Sequence, residues 1–375
     1  HGSVRDAISV ARTAPSSHNS QPWAVASFES HGAVRTLGEW LGVAPRADER
    51  WLVLAVDAQR ALAALPSLAT EMRISCGMFL QLFAAGLAEA DLAVRVIPCA
   101  GRFGVPPLAG YPGAWTPVAA VSISAGTPRA ASWSCADAAE RRTNRAPFDK
   151  RSVSAALQRT LQASAALFDG PEDRGAVSLQ LFDDPALVAR AGAFVGKNAS
   201  IDFTDEKAWS ETYRYIRFSE RAAAVNVDGF ALTQLFGALP PLVPQVLQLA
   251  LSPTAMRVLR HVGVPAVMAR GLGRLVGVAP LLACVSVEHS SPWAEVVAGG
   301  VALDLWMRAT ASGLALHPVS AILQHDDIRE RFEELIAPRG RAVFFARIGY
   351  PTAAFPPTLR RTLEPGDPSS GWVRL

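Results

Sequence analysis

The chain reads as an α+β protein of two tandem halves that fold on each other as an intrachain pseudo-dimer, with a helical insertion in the second half. Three observations lead there. The segment "ISCGMFLQLFAAGLAEADLAVRV" (74–96) is an apolar helix ending near Gly86 and followed by a strand. The segment "VAGGVALDLWMRATASGLALHPVS" (297–320) repeats that plan, with Gly300 answering Gly77, Leu303 answering Leu80 and Gly313 falling near Gly86. Each copy goes with a β-rich run, "PVAAVSIS" (117–124) and "PLLACVSV" (280–287). Helices apolar nearly all round must be buried on most faces, so the two copies are expected to pack together at the centre.

Length and composition bound the possibilities. At 375 residues the chain can bury one large core or two ordinary ones. A net charge of +3 is too small to point to nucleic acid, and only Lys150, Lys197 and Lys207 among the 36 basic residues are lysines. Cys76, Cys99, Cys135 and Cys284 form no CxxC pair, which fits a reducing cytoplasm. The seven histidines show no ligand spacing, so no metal site is expected.

Taken in order, Val4, Ala7, Ile8 and Ala11 recur at helical spacing, and Pro15 ends that helix. The loop "ARTAPSSHNSQPW" (11–23) follows, crowded with short hydrogen-bonding side chains, and "AVASFES" alternates as a strand. The first half is placed at 1–130 and the second at 131–375. The second opens with "AAERRTNRAPFDKRSVSAALQRTL" (138–161), expected as a helix with an arginine-rich start. The insertion at 190–279 has no acidic residue between Asp228 and Glu288 and no charge from Gly229 to Met256. A membrane span needs roughly twenty unbroken apolar residues. Pro240, Pro241, Pro244 and Pro253 interrupt this run, so it is read as short helices packed on the protein. The tail "RAVFFARIGYPTAAFPPTLRRTLEP" (341–365) gives a strand and a proline-rich arm.

Three polar clusters are candidates for a site: Ser16, Ser17, Asn19 and Gln21; Arg141, Arg142, Thr143 and Arg145; Arg360 and Arg361. Hydroxyls and amides suit a polyol, and arginines near a helix start suit a phosphate. Each cluster alone has a plainer reading, as loop caps or as a solvated helix face.

In combination they resemble the nitroreductase-like flavoproteins. "APSSHNSQPW" resembles that family's APSxxNxQPW loop, "RRTNRAPF" its RRSxRxF motif, and "RIGYP" with the later arginine pair its closing strand and arm. The chain is most similar to the tandem (Acg-like) branch, in which an insertion forms a lid. In the usual homodimer FMN lies between subunits. Here the second half reads "QASAALFDGPED" where another serine loop would fall, so the resemblance implies one composite site per chain. Pro15, Ser16, Ser17, Asn19 and Gln21 would come from the first half. Arg141, Arg142, Thr143, Arg145, Arg360 and Arg361 would hold the phosphate and pyrimidine edge, and Pro318-Val319 would pass the flavin N5.

The resemblance implies an FMN-dependent oxidoreductase with no catalytic side chain of its own, because the flavin carries the electrons. Nitro, quinone or enone reduction and biosynthetic dehydrogenation are the expected reactions, with NAD(P)H a candidate donor. The partner is a small molecule, with neither nucleic acid nor membrane expected and self-association open. The alternative is a non-catalytic protein that sequesters FMN under a closed lid. In the lid, Phe230, Leu235, Phe236, Leu242, Val246 and Leu249 are expected to pack inward, and Arg257, Arg260, Arg270 and Arg274 to face the rim or the ligand.

Overall fold

A computed structural model of the chain describes residues 2–101, 104–170, 173, 175–237 and 239–375. Pro171 and Glu172 of the "QASAALFDGPED" stretch lie outside them. Helix α1 (Gly2–Ala11) leads into β1 (Trp23–Phe28), α2 (His31–Leu41), β2 (Arg50–Asp57), α3 (Leu68–Ala88), β3 (Leu92–Pro98) and β4 (Trp115–Ala125). Next come α4 (Cys135–Glu140), α5 (Ala155–Gln162) and β5 (Val177–Phe182). The insertion holds α6 (Pro185–Asn198), α7 (Ile201–Thr204), α8 (Glu206–Tyr215), β6 (Ile216–Arg217), α9 (Glu220–Val225) and β7 (Phe230–Ala231). It continues with α10 (Leu232–Phe236), α11 (Val243–Ala250), α12 (Pro253–Leu259) and α13 (Val264–Gly277). The order closes with β8 (Leu281–Val287), α14 (Pro292–Ala311), β9 (Ala315–Pro318), α15 (Asp326–Ile336), β10 (Arg341–Gly349) and β11 (Trp372–Arg374).

Two main sheets are ordered β11-β1-β2-β4-β3 and β5-β8-β10-β9, and β6 pairs with β7 as a small two-stranded sheet in the insertion. Matching β5, β8, β9 and β10 to β1, β2, β3 and β4 gives both sheets one strand order. In each, a long helix joins the second strand to the third: α3 in one, α14 in the other. These two helices pack on each other, buried on nearly every face, as their uniform apolarity predicts. Small residues permit the crossing. A Cβ on Gly77 would lie 1.9 Å from the Val296 carbonyl oxygen, and one on Gly299 would lie 2.2 Å from that of Ile74. One shift of register carries Gly77 onto Gly299 and Ile74 onto Val296. The counterpart of Gly77 is therefore Gly299, one residue before the Gly300 expected from the sequence; Gly300 instead meets Ala166 and Phe168.

The insertion occupies the link between the first and second strands of the second sheet, where the other half has only α2. Its outer helices belong to the core. Ser/Asp caps or early prolines start most of its helices: Asp184 accepts from Leu187 N–H before α6, and Ser252 from Ala255 N–H before α12. Helices α6 and α13 approach closely because Gly192 and Gly196 face Gly277 and Gly273. The pair covers Leu282, Cys284 and Phe345 of the second sheet. The middle of the insertion has a small cluster of its own, around Trp209, Leu232, Leu251 and Met256.

The chain ends cross over. Strand β11, which sequence reading left out, pairs in parallel with β1 and so joins the sheet of the opposite half. The segment 138–161 is not one helix. Arg141 stands at the C-cap of α4 with extended φ/ψ (−61°, 128°), and α5 restarts only at Ala155 behind the Ser154 cap. The arginines therefore follow a helix end, where the dipole gives no help to an anion.

Candidate functional site

A cavity of about 320 Å³ lies between the halves. The 15–19 loop, the start of α3 and the 318–324 loop form its walls, together with strand β10, the arm at Thr358 and Arg360, and Phe230 and Gln234 of the insertion. Of the residues singled out from sequence, Pro15, Ser16, Ser17, Asn19, Arg141, Thr143, Arg145, Pro318 and Arg360 line it. Gln21, Arg142, Val319 and Arg361 do not.

The loop is tightly determined. His18, Asn19 and Gln21 all hold positive φ, near 50°, a region costly for residues other than glycine. Hydrogen bonds fix it there. Ser16 Oγ accepts from Gln21 N–H at 3.0 Å, and Ser75 Oγ accepts from Ser17 N–H at 3.4 Å. Asn19 Nδ2 donates to the Gly229 carbonyl at 2.9 Å and to that of Leu359 at 3.1 Å. Gln21 Nε2 donates to the Val227 carbonyl at 2.7 Å, and its Oε1 accepts from Arg361 N–H at 2.9 Å. Much of the loop's polarity thus binds main chain of the insertion and the arm. Gln21, expected with the other three as a polyol ligand, instead bonds the insertion and the arm and lies off the cavity wall.

The arginines divide similarly. Arg141 is buried, its guanidinium 4.6 Å from the Trp306 ring centroid, and it donates to the Thr13 carbonyl at 3.4 Å. Arg360 reaches the same carbonyl at 3.5 Å and also donates to Asn19 Oδ1. Arg145 donates to the Gln234 carbonyl at 3.0 Å. Burial, then the charges of Arg360 and Arg142, push Arg141 well below its ordinary pKa. Burial and neighbouring arginines likewise push Arg360 down to about 10. The Nε atoms of Arg141 and Arg360 are buried and have no hydrogen-bond partner. Two cations at one carbonyl, with donors to spare, form a place for an anion.

Arg142 instead turns back to the Ala139 and Arg141 carbonyls. Arg361 is buried behind the loop, donating to the carbonyls of Gln21, Trp23 and Ser370. Its guanidinium holds backbone and lies off the cavity wall, away from the phosphate-binding place expected for it. Val319 N–H donates to the Phe345 carbonyl at 2.8 Å and its side chain is buried, so this amide is not open to a ligand.

Sequence reading missed three titratable groups on the cavity wall: Arg341, which pairs with Glu295 at 3.5 Å, Glu71 and His18. Glu71 Oε1 accepts from Gln324 Nε2 at 2.7 Å, and the Ser17 hydroxyl also bonds this carboxyl. Burial raises its pKa despite those bonds, favouring the neutral acid. His18 has a buried, unpartnered Nδ1, and burial followed by the Arg145 charge lowers its pKa to about 4. His18 lay within the loop motif itself. Glu71 carried no local signal, because only the packing of α3 against the loop brings it to the cavity. Among the described residues, no group of three or more His, Cys, Asp or Glu is placed to hold a metal.

Among the described residues, the insertion covers the cavity with Phe230 and Gln234. Leu235 is half-buried, whereas Phe236, Leu242, Val246 and Leu249 are exposed, not packed inward as expected. Arg257 pairs with Glu206, and Arg257, Arg260, Arg270 and Arg274 all lie off the cavity wall.

No family model matches the chain. It is 31% identical to a Serratia sp. protein described as a probable NAD(P)H nitroreductase, PigM, over 96% of this chain and 92% of that one. Among solved structures it is similar to a nitroreductase with bound FMN from Desulfitobacterium hafniense. There the TM-score is 0.34 at 16% identity, covering 59% of this chain and 90% of the other. An FMN-dependent nitroreductase, NfnB, from Mycobacterium smegmatis in complex with NADPH gives 0.33 at 13% identity, covering 58% and 86%.

Proposed function

The chain belongs to the NAD(P)H nitroreductase family, and from that membership we propose that it is an FMN-dependent oxidoreductase acting on a small organic substrate. The observation that carries this reading is the cavity between the halves. It joins a serine loop from one half to Arg141, Arg145 and Arg360 from the other. The proposed division is 1–130 and 131–375.

The residues present fit the group. The two buried guanidinium Nε atoms without partners, on arginines that share the Thr13 carbonyl, match a terminal phosphate. Arg141 and Arg360 would hold that phosphate, Arg145 the pyrimidine edge, and Ser16 and Ser17 the polyol. When bound, FMN would supply two-electron hydride chemistry at N5. This chain's own residues do the rest. Glu71, whose carboxyl burial shifts toward the neutral acid, is the group placed to hold a proton at the cavity wall, and Gln324 and Ser17 fix its orientation. His18 stays unprotonated and offers a ring nitrogen. Phe230, with its ring centroid 5.8 Å from that of His18, excludes water from the same wall. The substrate classes follow the family: nitro, quinone or enone acceptors, or a dehydrogenated biosynthetic substrate, with NAD(P)H as donor.

We place the protein in a reducing cytoplasm, in keeping with a sequence whose four cysteines are far apart and make no CxxC pair. Anaerobic addition of NADPH to the purified protein tests the enzyme reading, which expects the yellow flavin to bleach and to recover on adding a quinone. A second reading is favoured by the cover that Phe230 and Gln234 form, namely sequestration of FMN. Flavin that stays oxidised under NADPH and NADH would select it.

A further inference from the structure

Helices α10 to α13 turn an apolar face to solvent. On α11, which buries no side chain, Leu242, Val246 and Leu249 form one stripe and are 77%, 63% and 74% exposed. Phe236, Val258, Val262 and Val267 are exposed on the neighbouring helices. A patch of this kind on a soluble chain marks a docking surface. Its charge says what docks. No Asp or Glu occurs between Asp228 and Glu288, and Arg257, Arg260, Arg270 and Arg274 are all exposed. Arg257 shares its charge with Glu206, whereas Arg260, Arg270 and Arg274 have no described carboxylate within ion-pair distance.

We propose that this face docks the protein on an anionic lipid bilayer, lying in the headgroup region without crossing it. Exposed apolar side chains on a segment whose own charges are all arginines, with Glu206 paired to Arg257 as the nearby acid, are the pattern of an interfacial surface. Two copies meeting through the face would bring the same arginines together, so self-association is opposed by charge. Crossing is excluded by length: α11 has 8 residues, against roughly twenty for a span. The face is also the outside of the cavity's cover. Helix α10 puts Gln234 on the cavity wall and Phe236 in solvent.

Vesicle flotation of the full chain tests this, independently of any flavin chemistry. The probes are vesicles of phosphatidylcholine with phosphatidylglycerol and vesicles of phosphatidylcholine alone. The expected result is flotation with the first and at least tenfold weaker partition onto the second. Leu242→Asp with Leu249→Asp, and separately Arg270→Glu with Arg274→Glu, should each cut partition at least tenfold. These side chains are exposed, so melting temperature should stay at the wild-type value. Absence of flotation, equal partition onto both vesicles, or a dimer in sedimentation that Leu242→Asp with Leu249→Asp dissolves would each overturn the proposal.

Discussion

Arg361 and Gln21, 340 positions apart in sequence, are joined twice: Arg361 N–H donates to Gln21 Oε1 at 2.9 Å, and Arg361 Nη2 donates to the Gln21 carbonyl at 3.1 Å. The arm is thereby fastened behind the loop that lines the cavity. Arg361→Ala strips donors from three main-chain carbonyls, at about 1–3 kcal/mol for each left buried and unpaired. Urea unfolding should show a loss of at least ~2 kcal/mol with flavin lost alongside. An unchanged midpoint would mean that the arm is held elsewhere.

Arg141→Ala should behave differently. It removes a charge-assisted contact to the phosphate, worth roughly 1.5–3 kcal/mol, which corresponds to about ten- to a hundredfold in affinity. The apoprotein should keep nearly its own melting temperature, since relieved repulsion from Arg360 and Arg142 offsets lost stacking on Trp306. Titration of apoprotein with FMN, read by fluorescence quenching, gives the number. Ser16→Ala should cost less, about 1 kcal/mol.

His317 supplies a pH signature. Its Nδ1 accepts from Arg347 Nε at 3.0 Å, and burial, then the Arg347 and Arg145 charges, holds its pKa well below 6.5. The native state stays neutral there while the unfolded chain takes up a proton, so this stability is present above pH 6.5 and lost as pH falls. His317→Asn keeps an acceptor and cannot titrate. The stability difference between wild type and variant should move against wild type by up to about 1.4 kcal/mol per pH unit below ~6.5. A difference independent of pH would show that His317 titrates alike in both states.

Phe230→Ala tests the cover. The ring lies near His18 and has the Arg145 guanidinium carbon 5.9 Å from its centroid. Its removal should let small donors in and raise the rate of flavin reduction several-fold in stopped flow. An unchanged rate would place entry elsewhere. A point variant is the cleaner test, because deleting 229–275 would take out most of α13 and its glycine contacts with α6.

Much of the fold was legible in the chain because its strongest signals are local. The all-round apolarity of α3 and α14, the alternation of β1 and the prolines after α1 each act within a few residues. What stayed hidden depends on distant partners. Strand β11 is three residues long and is held in its sheet by β1, from the far end of the chain. The arginine-rich segment looked helical by composition, yet Arg141 takes an extended cap conformation and packs on Trp306. At the site, the serine loop was legible by its polarity, but not that Gln21 binds Val227 and Arg361 in place of a ligand. Glu71 was illegible for a similar reason, since its neighbours Ser17 and Gln324 come from other segments.

One cavity per chain joins the serine loop of the first half to the arginines of the second, so one flavin is expected for each chain. Release of bound flavin by denaturation, its identification by mass and its count against protein decide this. FMN at one per chain is the expected result. A count of two per chain, or FAD, would rule out a single composite site.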